Sequence, residues 1–176
     1  MDTIECGTAE CVIQMGNDGI ATASHSGLLL PRIVPQAALC ALRAAAGRQA
    51  KGLLTRLDQA ILCCDPAAAA AATYPCLTPA MRAMPQAFVV SPGQIELCNT
   101  AVRGAGPAGL LRGVFLREDE ARQWLDRTTR ALAANRDWWA GRRGARLAGP
   151  RITRCRALDA RALIPAAGVR ASRTSG

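Results

Sequence analysis

From Glu10 to Met15 and from Gly19 to Ser24 the chain carries short β-type runs on either side of Gly16-Asn17-Asp18-Gly19, a turn-forming segment, which predicts a leading β-hairpin. After Val34 the period lengthens. Ala38, Leu39, Leu42, Ala45 and Ala46 recur at helical spacing and Gly47 supplies a stop, so a first helix is expected there. Gly52 to Leu57 predicts a strand that runs on toward Ile61-Leu62 across the polar pair Asp58-Gln59. Asp65 and Pro66 ahead of an alanine run read as an N-cap and a first-turn proline, whose missing N–H would have no partner there anyway. Thr78-Pro79 repeats that signal, so 66–84 is predicted helical with a break near Pro75.

The second half continues the alternation. Ala87 to Val90 is a continuous apolar run of the kind a strand buried on both faces requires. Ser91, Pro92 and Gln94 then form a capping box, after which Ile95, Cys98, Asn99 and Val102 share a helix face until Gly104, Gly106 and Pro107. Leu110 to Leu116 predicts another strand. Glu118, Asp119 and Glu120 suit the first turn of a last helix, whose dipole favours acids, and Ala121, Trp124, Leu125, Thr128 and Leu132 form its apolar stripe. The order β-β-α-β-α-β-α-β-α demands crossovers. The fold class is therefore α/β, a mixed, mostly parallel sheet with helices packed against it. We assign residues 1–8 to a lead-in, 9–140 to one α/β domain, and 141–176 to an Arg-rich, mostly disordered C-terminal tail.

Composition changes this picture in one respect. The net charge of +9 suggests a polyanion binder, yet residues 1–140 carry 13 basic and 12 acidic side chains, while 141–176 carry nine Arg and one acid, Asp159. The body is neutral and the tail is basic. Trp138 and Trp139 with Arg142, Arg143, Arg146, Arg151, Arg154 and Arg156 form the candidate polyanion-binding set, in which indoles stack and guanidinium groups release counterions. The competing reading of the two indoles is that at least one closes a core with only six aromatics to draw on. No apolar run approaches membrane-spanning length and no leader pattern opens the chain, so a cytoplasmic protein without membrane contact is expected.

Catalytic constellations are sparse. Gly104, Gly106 and Gly109 match G-x-G-x-x-G, but they close a helix and lead into a strand, the reverse of a dinucleotide cradle. His25, the only histidine, stands at the end of a predicted strand and is read as a surface or loop residue. The eight cysteines lack paired C-x2-C spacing and are read as free, mostly buried thiols. The acids at 118–120 point in different directions around a helix and do not form a carboxylate pair. No catalytic centre, metal or cofactor is expected.

Residues 84–125 carry a recognisable pattern: a strand (AFVVS), a proline-started helix (PGQIEL), a glycine-containing bend, a strand (LLRGVF), and an acidic turn running into A-x-x-W-L. Val114, Phe115, Ala121, Trp124 and Leu125 are its anchor positions. The pattern resembles the SpoIIAA-like branch of the STAS superfamily, and the element order over 8–136 is compatible with the same fold. The resemblance implies a single STAS-like domain acting as a non-enzymatic regulatory or scaffold module that binds a protein partner or itself. In anti-sigma factor antagonists of this superfamily a phosphorylatable serine follows the central strand. Here Cys63-Cys64-Asp65-Pro66-Ala67 stands in that place, with no hydroxyl to modify. Asp58, Asp65, Thr73 and Tyr74, around the start of the second helix, are the candidate partner-binding residues. Weak nucleic-acid binding through the tail is the alternative.

Overall fold

A computed structural model describes residues 2–6, 9–105 and 110–144, with side chains over 9–103 and 110–135. The strands are β1 (Asp2–Cys6), β2 (Ala9–Met15), β3 (Ile20–Leu29), β4 (Gly52–Leu62), β5 (Gln86–Val89) and β6 (Arg112–Phe115). The helices are α1 (Val34–Gly47), α2 (Pro66–Thr73), α3 (Pro79–Ala83), α4 (Ile95–Ala105) and α5 (Glu118–Gly144), with short 3-10 turns at Tyr74–Cys76 and Pro92–Gln94. The six strands form one sheet in chain order. β1, β2 and β3 pair antiparallel, and β3 to β6 pair parallel, so the mixed, mostly parallel α/β sheet is as expected.

Chain order decides where the helices go. Each parallel step from β3 to β6 moves the same way across the sheet, and right-handed crossovers then stack α1, α2, α3 and α4 on a single face. The opposite face is left for α5, which packs on β4, β5 and β6. Side-chain alternation builds one core on each side. Ala21, Ala23 and Leu53 meet Ala41, Leu42 and Met81 on the first. Leu54, Ala87 and Val89 meet Trp124 and Leu125 on the second.

The β2–β3 hairpin closes as predicted: the Gly16 N–H donates to the Ile20 carbonyl at 2.9 Å and Gly19 takes φ +79°. The capping box at Ser91 and Gln94 is present, and the break after α2 falls at the Tyr74–Cys76 turn. Three boundaries are corrected. Residues 2–6 are no lead-in but an edge strand paired with β2, a pairing that single-strand periodicity over so few residues does not reveal. β3 runs five residues past Ser24, because its parallel partner β4 continues to Leu62 and pairs it to the end, with a bulge between Ser24 and Ser26. α1 stops at Gly47 as expected, and the left-handed residue of the Schellman-type reversal that follows is Gln49 (φ 57°); its N–H donates to the Ala46 carbonyl and that of Ala50 to the Ala45 carbonyl. α5 continues through Gly144, past the assigned tail boundary at 141. The rest of the tail, 145–176, lies outside the described residues, as do the glycines at 106 and 109.

Candidate functional site between the sheet and the second helix

α2 follows the central strand β4 directly. Asp65 caps it: its side-chain oxygen accepts from the Ala67 N–H at 2.9 Å, and Pro66 occupies the first turn. Alanine then fills the helix, and small side chains let it pack closely on α1 and α4. The inner face buries Ala69 and Thr73, whose hydroxyl donates to the Ala69 carbonyl at 2.7 Å. Ala68, Ala71 and Ala72 form the outer face and are exposed, as are Pro75 and Cys76 just beyond. From Pro66 to Thr73 there is no charged side chain.

The structure does not bring the four candidate partner-binding residues to one surface. Asp65 is exposed at the start of α2. Thr73 is buried beneath the helix, which corrects its assignment to a contact surface: its hydroxyl is already spent on the helix backbone. Tyr74 is half-buried, with the Arg82 guanidinium 4.7 Å from its ring centroid. Asp58 belongs to a different group, on the α5 side of the sheet. It pairs with Arg56 at 3.0 Å, and Arg56 reaches Glu118 at 3.3 Å. The hydrogen bond from Arg56 holds the Asp58 carboxyl below its ordinary value. Trp138, Trp139, Arg142 and Arg143 fall on the α5 backbone, but their side chains lie outside the described set. Arg146, Arg151, Arg154 and Arg156 lie wholly outside it.

Between α1, α2, α4 and the sheet lies a cavity of about 120 Å³. Its walls are apolar, with Leu29, Leu53, Leu62, Phe88 and Val102 among them. Across its floor runs a diagonal row of polar side chains, one from each of four neighbouring strands: His25, Thr55, Gln86 and Arg112. Gln86 and Arg112 are directly opposed in the β5–β6 register. Among the described residues no acidic side chain lines the cavity.

His25 corrects the expectation of a surface residue. It is 5% exposed, held inside because the extension of β3 places it on the helix-covered face. Its Nε2 lies 3.7 Å from Cys11 Sγ, and its Nδ1 is buried without a hydrogen-bond partner. Burial pushes its pKa down to about 4, so the ring is neutral at pH 7. The cysteines are also less buried than expected. Of the six with described side chains, only Cys11 and Cys98 are buried, while Cys63 and Cys76 are exposed. Burial raises Cys98 to about 11 and shifts Cys64 upward, the opposite of an activated thiolate. Among the described residues no group of three or more His, Cys, Asp or Glu is placed to hold a metal ion, and no helix is long and apolar enough to cross a membrane.

Gln86 and Arg112 were not singled out from the sequence. The available signal was a long polar side chain set against each of two short apolar strands, Gln86 ahead of Ala87-Phe88-Val89-Val90 and Arg112 inside Leu110 to Leu116.

No protein-family model and no curated protein matches the chain. Among solved structures, an anti-sigma factor antagonist from Mycobacterium paratuberculosis is similar at a TM-score of 0.45 and 16% sequence identity, over 66% of this chain and 93% of that one.

Proposed function

We propose that this protein is a regulatory or scaffold module of STAS type that binds a protein partner through the outer face of α2. The observation that carries the reading is the helix itself. It stands at the end of the central strand and presents Ala68, Ala71 and Ala72 to solvent with no charged side chain along its length. A solvated surface helix ordinarily carries charge on its outer face; one that carries only methyl groups is suited to being covered. The motif pattern supports the same reading. Its strand, proline-started helix, strand and A-x-x-W-L segments fall on β5, α4, β6 and α5 in order. Partner binding at this place does not use serine phosphorylation, because Cys63 to Ala67 offers no hydroxyl.

The test is capture with tagged full-length protein, from nuclease-treated native lysate at moderate salt, comparing wild type with the double variant Ala68→Glu/Ala72→Arg. Both positions are exposed on a helix and accept good helix formers, so stability should change by no more than about 0.5 kcal/mol. A discrete partner recovered by wild type and lost by the variant supports the reading. A partner retained by the variant moves the interface elsewhere. Recovery of nuclease-sensitive, salt-sensitive material alone makes the protein a polyanion binder instead.

A further inference from the structure

Arg112 presents an unusual problem for a folded protein. Its side chain reaches from β6 into an apolar cavity, its Nε is buried without a hydrogen-bond partner, and no ion pair joins it to any described residue. Arg112 is half-buried; its guanidinium stays charged throughout the accessible pH range, and taking part of that charge out of water without a counterion is costly. Directly opposite in register, Gln86 is 3% exposed and its Nε2 donor is also buried without a partner. Two unmatched donors therefore stand side by side on one wall, with the orphaned Nδ1 of His25 farther along the same row. Unpaired buried polar groups are rare in native proteins, and the two donors of Arg112 and Gln86 constitute a recognition surface awaiting an acceptor.

The chemistry of that acceptor follows from what lines the cavity. Among the described residues no acid lines the cavity to compete for the guanidinium, and its planar fork matches the two oxygens of a carboxylate. The remaining walls are mostly Leu, Val, Phe and Ala side chains, with Cys64, Cys98, Pro66, Thr55 and Thr73 among them, and favour a hydrocarbon tail. Size limits the tail. An apolar cavity of roughly 150 Å³ accommodates benzene, so the 120 Å³ here suits an apolar group of about six carbon atoms or fewer.

We propose that the cavity binds a small monocarboxylate, with its carboxylate on Arg112 and Gln86 and its short apolar tail between Leu53, Phe88 and the inner face of α2. This goes beyond the partner reading and does not rest on it. The site uses the buried side of α2, whereas the partner surface is the exposed side.

The experiment is calorimetric and thermal-shift titration of the full-length protein with sodium hexanoate at constant ionic strength, against hexan-1-ol and acetate as controls. Saturable hexanoate binding, at least tenfold tighter than either control, is the expected result. Equal affinity for hexan-1-ol removes the carboxylate from the recognition, and no saturation by about 10 mM hexanoate removes the site; either overturns the proposal. Arg112→Met should abolish hexanoate binding while leaving the unliganded melting temperature unchanged or higher, since it removes an unpaired charge from an apolar space. A lower unliganded melting temperature would mean that Arg112 has a structural partner, and would overturn the argument. Gln86→Leu keeps the guanidinium and removes one donor, so hexanoate affinity should fall severalfold with hexan-1-ol affinity unmoved; unchanged hexanoate affinity places the carboxylate elsewhere. The Arg112 Nε–H resonance should also move on addition of hexanoate and stay fixed on addition of hexan-1-ol.

Discussion

His25 and Cys11 face each other across the β2–β3 ladder, with Nε2 3.7 Å from Sγ, and the imidazole is thereby held inside the protein beside a thiol and no carboxylate. Among the described residues nothing there compensates a positive charge. The consequence is a pH-dependent stability with a definite sign.

Burial lowers the His25 pKa from 6.5 to about 4, so the unfolded chain binds this proton first as pH falls. Stability from the neutral ring is fully present above pH 6.5 and is lost as pH falls toward 4. Urea unfolding at pH 7 and pH 5 should differ by about 2 kcal/mol from this group. As the only histidine, it is the one side chain whose ordinary pKa falls between those two pH values. The variant His25→Leu should flatten the slope between those two pH values; an unchanged slope would assign it to another group.

Gly113 allows the Phe115 and Trp124 rings to pack on β6. A Cβ at position 113 would lie 2.7 Å from Phe115 Cε2 and 2.8 Å from its Cζ, while the two ring centroids are 5.8 Å apart. Gly113→Ala should therefore destabilise by about 1–3 kcal/mol through overpacking. Leu125→Ala, in the same cluster and fully buried, should cost about 2–5 kcal/mol through the cavity it opens. Chemical denaturation of the two variants measures both.

Gln49 sits at φ 57°, a left-handed conformation that costs an L-residue about 1–2 kcal/mol and glycine almost nothing. Its side chain is exposed. Gln49→Gly should raise stability by up to about 1 kcal/mol, offset in part by glycine's greater freedom when unfolded. A loss of stability would mean that the Gln49 side chain contributes more than its backbone strain removes.

Glu118 links three parts of the structure, accepting from Arg122 at 2.8 Å and pairing with Arg56 at 3.3 Å, while Arg122 also reaches Asp18 in the β2–β3 turn. These side chains are about a third to a half exposed, so solvent screens the pairs. Glu118→Gln should lower stability by less than about 1 kcal/mol, and the difference should shrink in high salt. A larger, salt-independent loss would show that the network is shielded from solvent.

Much of the fold was legible because its signals are local. The hairpin turn needs residues that tolerate positive φ, as Gly19 does, and the caps at Asp65, Thr78 and Ser91 need short polar side chains ahead of prolines. These requirements are met within a few residues. β1 and the far half of β3 were missed for the opposite reason: each is a strand because of what it pairs with. The candidate site divides the same way. Asp65 was legible as a cap, but Thr73 looked like a surface hydroxyl, since an alanine helix has no periodicity to show which side faces inward.

The sequence by itself determined the alternation of strands and helices, the turns and caps that bound them, and the separation of a neutral body from a basic tail, because each depends on neighbouring residues or on simple counting. Tertiary structure alone decided that His25 is interior and that Gln86 and Arg112 stand beside one another with no acid to meet them. These residues come from different strands, and only the parallel register of the sheet places them in one row under α2. A half-buried charge without a counterion is a statement about surroundings, and surroundings are made by the fold.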